Sequence, residues 1–127
     1  MEKKRILLVE DDASIAFIVR EHLLNLGSNY EIGAASSAED ALRQFGEGVW
    51  DLVITDNKMP GMTGLELIQA LRDRYPGVVT ILATGYGSEQ VEQFASQLNV
   101  FRYMVKPFPL ADLNRAIQDA FSLANLQ

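Results

Sequence analysis

Ile6-Leu7-Leu8-Val9-Glu10-Asp11-Asp12 sets the reading of the whole chain. Four apolar residues in a row, with no polar alternation, suit a strand covered on both faces, as in parallel sheets. The run then breaks directly into three acids. The same form returns at Leu52-Val53-Ile54, which leads through Thr55 into Asp56, and from Val78 to Ala83, which leads into Thr84-Gly85. Phe101 to Val105 leads into Lys106-Pro107, and Tyr30 to Ala34 is a further, less apolar strand candidate.

Helical spacing fills the intervals. Ile15, Ile18, Val19, Leu23 and Leu26 recur on one stripe that stops at Gly27, a C-terminal glycine signal. Ala38, Ala41, Leu42 and Phe45 form a second stripe before Gly46. Thr63 with Glu66 three residues on is a capping box. The helix it opens has Leu67, Ile68, Leu71 and Tyr75 as its inner face and ends at Pro76-Gly77. Val91, Phe94, Ala95 and Leu98 predict a fourth helix, and Leu113, Ile117, Ala120, Phe121 and Ala124 a fifth.

Strand and helix therefore alternate along the chain, which predicts an α/β doubly wound parallel sheet with helices on both faces. Five strands favour the flavodoxin-like order 2-1-3-4-5. A length of 127 residues fits one domain over 1–127, with a core spanning about residues 5–121 and a short C-terminal tail.

Composition narrows the function classes. A net charge of -6 argues against direct binding to nucleic acid or to an anionic membrane. The absence of cysteine removes disulfides, thiolate zinc sites and cysteine nucleophiles. One histidine, His22, cannot build a multi-histidine metal site; inside an amphipathic helix it reads as a surface or boundary residue. Met1-Glu2-Lys3-Lys4-Arg5 precedes too short an apolar run for a signal peptide. No stretch reaches transmembrane length, so the expected location is cytoplasmic.

In the predicted order, ligands bind beyond the carboxyl ends of the strands. Glu10, Asp11, Asp56, Thr84 and Lys106 all sit at those ends. Clustered carboxylates resist joint ionisation, and Mg²⁺ relieves this by using one or two carboxylates with water and phosphate. A carboxylate can then act as a nucleophile and form an aspartyl phosphate. Thr84 can hydrogen-bond a phosphoryl oxygen, Lys106 can oppose its charge, and Gly85 is small enough to leave room. Taken singly, each residue has a plainer reading. Asp12 reads as a helix cap, Thr84 as a turn hydroxyl, Lys106 as a surface lysine, and Asp56 as a loop cap. Coincidence of all of them at one end of successive strands is the weaker account. Asp51 lies at the opposite end of its strand and carries no chemistry; Tyr30, Trp50 and Tyr75 read as packing.

The residues Ile6 to Asp12, Asp56 with Met59-Pro60-Gly61-Met62-Thr63-Gly64, Ala83-Thr84-Gly85, and Tyr103-Met104-Val105-Lys106-Pro107-Phe108 together resemble receiver domains of two-component response regulators. The resemblance runs from Arg5 to Phe121. It implies that Asp56 is the phosphoacceptor and that Asp11, Asp56 and the backbone carbonyl of Lys58 touch Mg²⁺, with Glu10 acting largely through water. It implies that Lys106 contacts the phosphoryl group and that Thr84 and Tyr103 are switch residues that remodel the face of the fourth helix, fifth strand and fifth helix. A cis Lys106-Pro107 bond is expected. Lys58 and Tyr86, two residues after Asp56 and Thr84, are expected to lengthen the phosphoryl lifetime by hindering water. Thr63 stands where many members carry an Asp.

The implied donor is a sensor histidine kinase or a histidine phosphotransfer protein, and the implied output is an effector domain or a homodimer. Such a protein is a switch that assists its own phosphorylation and dephosphorylation, not a turnover enzyme. The competing readings are weaker. An aspartyl-nucleophile phosphatase normally wants a second Asp where Lys58 stands. A flavin-binding protein would find an acidic loop where its phosphate should sit. A phosphate-blind interaction module would normally lack one of these pocket residues.

Overall fold

The computed structural model describes residues 3–26, 29–85 and 87–125. The elements are β1 (Lys4–Val9), α1 (Ala13–Leu24), β2 (Tyr30–Ala35), α2 (Ala38–Glu47), β3 (Leu52–Thr55), α3 (Gly64–Arg74), β4 (Val79–Thr84), α4 (Glu89–Gln97), β5 (Arg102–Val105) and α5 (Leu110–Asn125). The strands form one parallel sheet in the order β2-β1-β3-β4-β5. This is the flavodoxin-like order that the alternation predicts.

The apolar runs of β1 and β3 are buried because each face of the sheet is covered there. Successive strand residues point to opposite faces. Ile6, Leu8, Ile54, Ile81 and Ala83 pack with Leu23 of α1 and with Leu113, Ile117 and Phe121 of α5. Their neighbours Leu7, Val9 and Val53 pack with Ala41 and Phe45 of α2 and Leu67 and Leu71 of α3. Leu82 faces Ile68 of α3 and Ala95 of α4 in a third cluster that Tyr103 joins. Full burial of one such Leu or Ile contributes about 1.5–3 kcal/mol.

The helix starts follow their caps. Asp12 accepts hydrogen bonds from the Ser14 and Ile15 N–H groups, as its plain reading predicts. The Thr63–Glu66 capping box is formed in both directions. Ser37 and Ser88 cap α2 and α4.

Two stripes differ from expectation. On α1, Ile15 is 39% exposed and Ile18 59%. The buried line there is Ala16, Val19 and Leu23 instead. The helix is apolar almost all round its first half, so spacing alone could not select the inner stripe. It ends at Leu24, with the Asn25 N–H donating to the Glu21 and His22 carbonyls, and Leu26 is exposed. Gly27 lies outside the described residues. On α4, Phe94 is exposed while Ala95 is buried. Trp50, Tyr30 and Tyr75 do pack, Tyr75 lying 4.9 Å from Phe45. The side chain of Ala124 lies outside the described residues.

Candidate functional site

The sheet register places the site. Val9 pairs with Thr55, so the residues that follow them, Glu10 and Asp56, leave adjacent strands at the same level. The ladder continues one step past the strand ends: the Glu10 N–H donates to Ala35 O and the Asp56 N–H to Val9 O. Thr84 pairs with Val105, and the Lys106 N–H donates to Thr84 O. The polar residues thus start where the buried strands stop.

Lys106 joins the two carboxylates. Its Nζ donates to Glu10 Oε1 at 2.9 Å and to Asp56 Oδ2 at 3.3 Å. Burial acts to lower the Lys106 pKa. The hydrogen bond to Glu10 and the charges of Asp56 and Glu10 outweigh it, and the pKa is raised above the ordinary lysine value. Glu10 is 6% exposed, and its other oxygen accepts the Asp12 N–H. Both Glu10 oxygens are thus already engaged by protein donors. The Asp56 side chain is 13% exposed, and its Oδ1 accepts the Lys58 N–H at 3.3 Å.

The backbone of Asp56 is gripped from behind. The buried Thr55 hydroxyl donates to its carbonyl at 2.8 Å. Asn57 accepts the Gly64 N–H on its carbonyl and the Leu65 N–H on its Oδ1, tying the loop to the start of α3. A Cβ on Gly64 would sit 2.1 Å from the Asp56 carbonyl, so only glycine lets α3 begin this close. Gly61 has φ +80, and Glu39 of α2 faces it while accepting the Met62 N–H at 3.1 Å. Sequence reasoning assigned nothing to Asn57 or Glu39. Asn57 had a local signal, a short amide following the acid at the start of a turn. Glu39 had none, because its partner is 23 residues away.

An open cleft of about 540 Å³ lies over the acids, lined by Glu10, Asp11, Asp12, Asp56, Lys58 and Pro60 among others. Its donors are all oxygen, which suits a hard cation such as Mg²⁺. Among the described residues, no three Asp, Glu, His or Cys groups gather into a cage of their own.

The other predicted residues are spread around this centre. Thr84 is fully buried at the end of β4 and does not line the cleft. Among the described residues, a Cβ on Gly85 would touch only Lys106 Cβ, at 4.0 Å. Tyr103 is half-buried on the α4 side, against the Leu82 cluster. Tyr86 lies outside the described residues. The Lys106–Pro107 bond is cis. His22 bonds across to α5, its Nε2 lying 2.7 Å from Asn114 Oδ1. Asp51, at the far end of β3, accepts the Arg5 N–H.

Comparisons with known proteins identify the family. A family model described as the response regulator receiver domain matches residues 6–118. The response regulator protein FleR of Pseudomonas aeruginosa is 39% identical over 104 residues, covering 82% of this chain and 22% of FleR. The chain thus spans about a fifth of that relative. A response regulator receiver domain protein from Clostridium thermocellum superposes with a TM-score of 0.89 at 31% identity, covering 97% of this chain and 98% of that one. The response regulator TrrA of Thermotoga maritima, solved in complex with Mg²⁺-BeF, gives 0.82 at 34% identity, with 92% and 98% covered.

Proposed function

This chain belongs to the response regulator receiver domain family of two-component systems, and on that premise we propose that Asp56 is its phosphoacceptor. The family is a signalling domain and not a classical turnover enzyme. The observation that carries the proposal is the Lys106 ammonium bridging Glu10 and Asp56 at the strand ends.

In this reading an Asp56 oxygen attacks the phosphorus of a phosphohistidine on a sensor histidine kinase or phosphotransfer protein. The P–O bond forms as the P–N bond breaks, and the leaving imidazole nitrogen keeps the electron pair. Such a transfer needs little beyond in-line placement and neutralisation of the equatorial oxygens. Asp11, Asp56 and the Lys58 carbonyl would hold Mg²⁺, with Glu10 reaching it through water, and the ion would supply part of that neutralisation. Lys106 supplies the rest, moving from the Asp56 carboxylate to the phosphoryl oxygens.

Thr84 and Tyr103 would convert the new charge into a changed α4-β5-α5 face, read by an effector domain or a second copy. Reversing a hundredfold preference each way takes about 5 kcal/mol of differential interaction. Lys58 and Tyr86 would set the lifetime, and equal lifetimes in wild type and a Lys58→Ala, Tyr86→Ala pair would exclude that role. No described helix is long and apolar enough to cross a membrane, and a cytoplasmic place for residues 1–127, acting as one receiver unit, completes the reading.

The test is intact-mass spectrometry after incubation with acetyl phosphate, and beryllofluoride binding, each with and without Mg²⁺. Mg²⁺-dependent modification that disappears in Asp56→Asn is the expected result. A folded wild type that takes neither reagent would leave a phosphate-blind interaction module.

A further inference from the structure

Gly87 lies just before the Ser88 cap of α4. A Cβ built there would lie 2.5 Å from the Tyr103 hydroxyl oxygen and 3.0 Å from Val105 Cγ2. The Tyr103 Cζ would be 3.6 Å away, an ordinary contact. The collision therefore falls mainly on one atom, the hydroxyl.

The neighbours differ in how they can yield. Val105 is 50% exposed and can turn toward solvent. Tyr103 is half-buried against the cluster of Ile68, Leu82 and Ala95. Its ring is stiff and moves by rotation about two torsions, so a displaced hydroxyl carries the whole ring with it. We propose that Gly87 is a positioning residue for Tyr103: its bare Cα is the seat that lets the ring lie inward over β4. Removing the seat turns the ring out. This rests on the reading of Tyr103 as the switch residue, because only then does the ring's position couple to Asp56.

Coupling of that kind is reciprocal. If a phosphoryl group at Asp56 favours the inward ring, then excluding the inward ring weakens binding at Asp56. Gly87 therefore acts on phosphoryl affinity from outside the acidic cleft, since it is not among the residues that line it.

The experiment compares wild type, Gly87→Ala, Tyr103→Phe and the double variant. The first readout is ¹⁹F NMR of fluorotyrosine-labelled protein without Mg²⁺ or phosphoryl analogue, with the Tyr103 resonance assigned by its loss in Tyr103→Phe. Gly87→Ala should move that resonance toward the solvent-exposed value. The second readout is beryllofluoride affinity with Mg²⁺. Gly87→Ala should weaken it about five- to tenfold, the low end of typical coupling between sites. In the Tyr103→Phe background the same change should cost less than about twofold, because the colliding oxygen is gone. An unmoved Tyr103 resonance overturns the proposal, as does an equal loss of affinity in both backgrounds. A wild type that binds no beryllofluoride while its Tyr103 resonance still shifts with Gly87→Ala would overturn the phosphoacceptor reading and leave the seat standing.

Discussion

The two ends of the sheet use charge in opposite ways. At the N-terminal end, Arg5 and Asp51 exchange backbone and side-chain hydrogen bonds at 2.8 Å. The Arg5 guanidinium also pairs with Glu31 at 3.0 Å, bonds Val49 O at 2.9 Å and lies 4.1 Å over the Trp50 ring. The buried Trp50 indole N–H finds no hydrogen-bond partner there, and the Arg5 contacts close the register of β1 against β2 and β3. At the C-terminal end, two carboxylates share one ammonium, and an open cleft lies above them. The closed end locks strands together. The other end leaves like charges close to one another, which is unfavourable unless a cation joins them. The same parallel ladder thus carries a structural cluster at one end and a reactive one at the other.

That contrast can be broken in graded steps. The largest effect should come from Gly64→Ala, because its Cβ would meet the Asp56 carbonyl, a backbone atom that cannot rotate away. About 3 kcal/mol of stability should be lost, the upper part of the usual overpacking range, and beryllofluoride affinity should fall with it. Urea denaturation beside a binding titration would measure both; an unchanged affinity would show that α3 can retreat without moving the acceptor.

Lys106→Met should follow, at about 2 kcal/mol without Mg²⁺, since it removes charged hydrogen bonds from two poorly exposed acids. The loss should shrink when Asp56→Asn is added, because one repelling charge is then gone. The Lys106 pKa is raised, so its contribution is complete below the ordinary value of 10.5 and fades only as pH climbs through the higher folded value. The wild-type minus Lys106→Met stability difference should therefore stay flat from pH 7 to pH 10 where all carboxylates are ionised.

Gly33→Ala tests the closed end. Its Cβ would lie 2.3 Å from Trp50 Cη2, in a ring held by Arg5 on another side. A loss of about 1–2 kcal/mol is expected, with no change in the affinity of the folded protein for beryllofluoride. A changed affinity would mean that the two ends are coupled through the sheet.

The smallest effect concerns the helix that starts behind the acceptor. The backbone and side-chain hydrogen bonds from Thr63 depress the Glu66 pKa. Its capping contribution is therefore present above the ordinary value of 4.5 and is lost as pH falls through the lower folded value. Thermal melts of wild type and Glu66→Gln should differ slightly at pH 7 and converge as the pH is lowered below 4.5.

Much of this was legible in the residues themselves. The unbroken apolar runs at Ile6–Val9 and Leu52–Ile54 mark strands buried on both faces, and the alternation of elements leads to the sheet order. The capping box needs only a four-residue window. The acids, Thr84 and Lys106 stand out because they begin where apolar runs end. The inner stripe of α1 was not legible, since apolar residues surround its first turns and only the sheet selects among them. Phe94 was misread for a similar reason: spacing admits it, and packing chooses its neighbour Ala95.

The sequence alone determined the elements, the inner faces of α2 and α3 and the set of polar groups at the strand ends, because these depend on local periodicity and on a short-range change from apolar to charged. Tertiary structure decided which of those groups touch. Lys106 meets Glu10 across 96 residues and Asp56 across 50. Only the register of four strands brings them within hydrogen-bond reach, and a slip of one residue would turn each side chain to the opposite face. The close approach of Gly64 to Asp56, the clasp of Glu39 on Met62 and the nearness of Gly87 to Tyr103 are contacts between separate elements. They depend on how helices and loops settle on the sheet, and no local pattern encodes that.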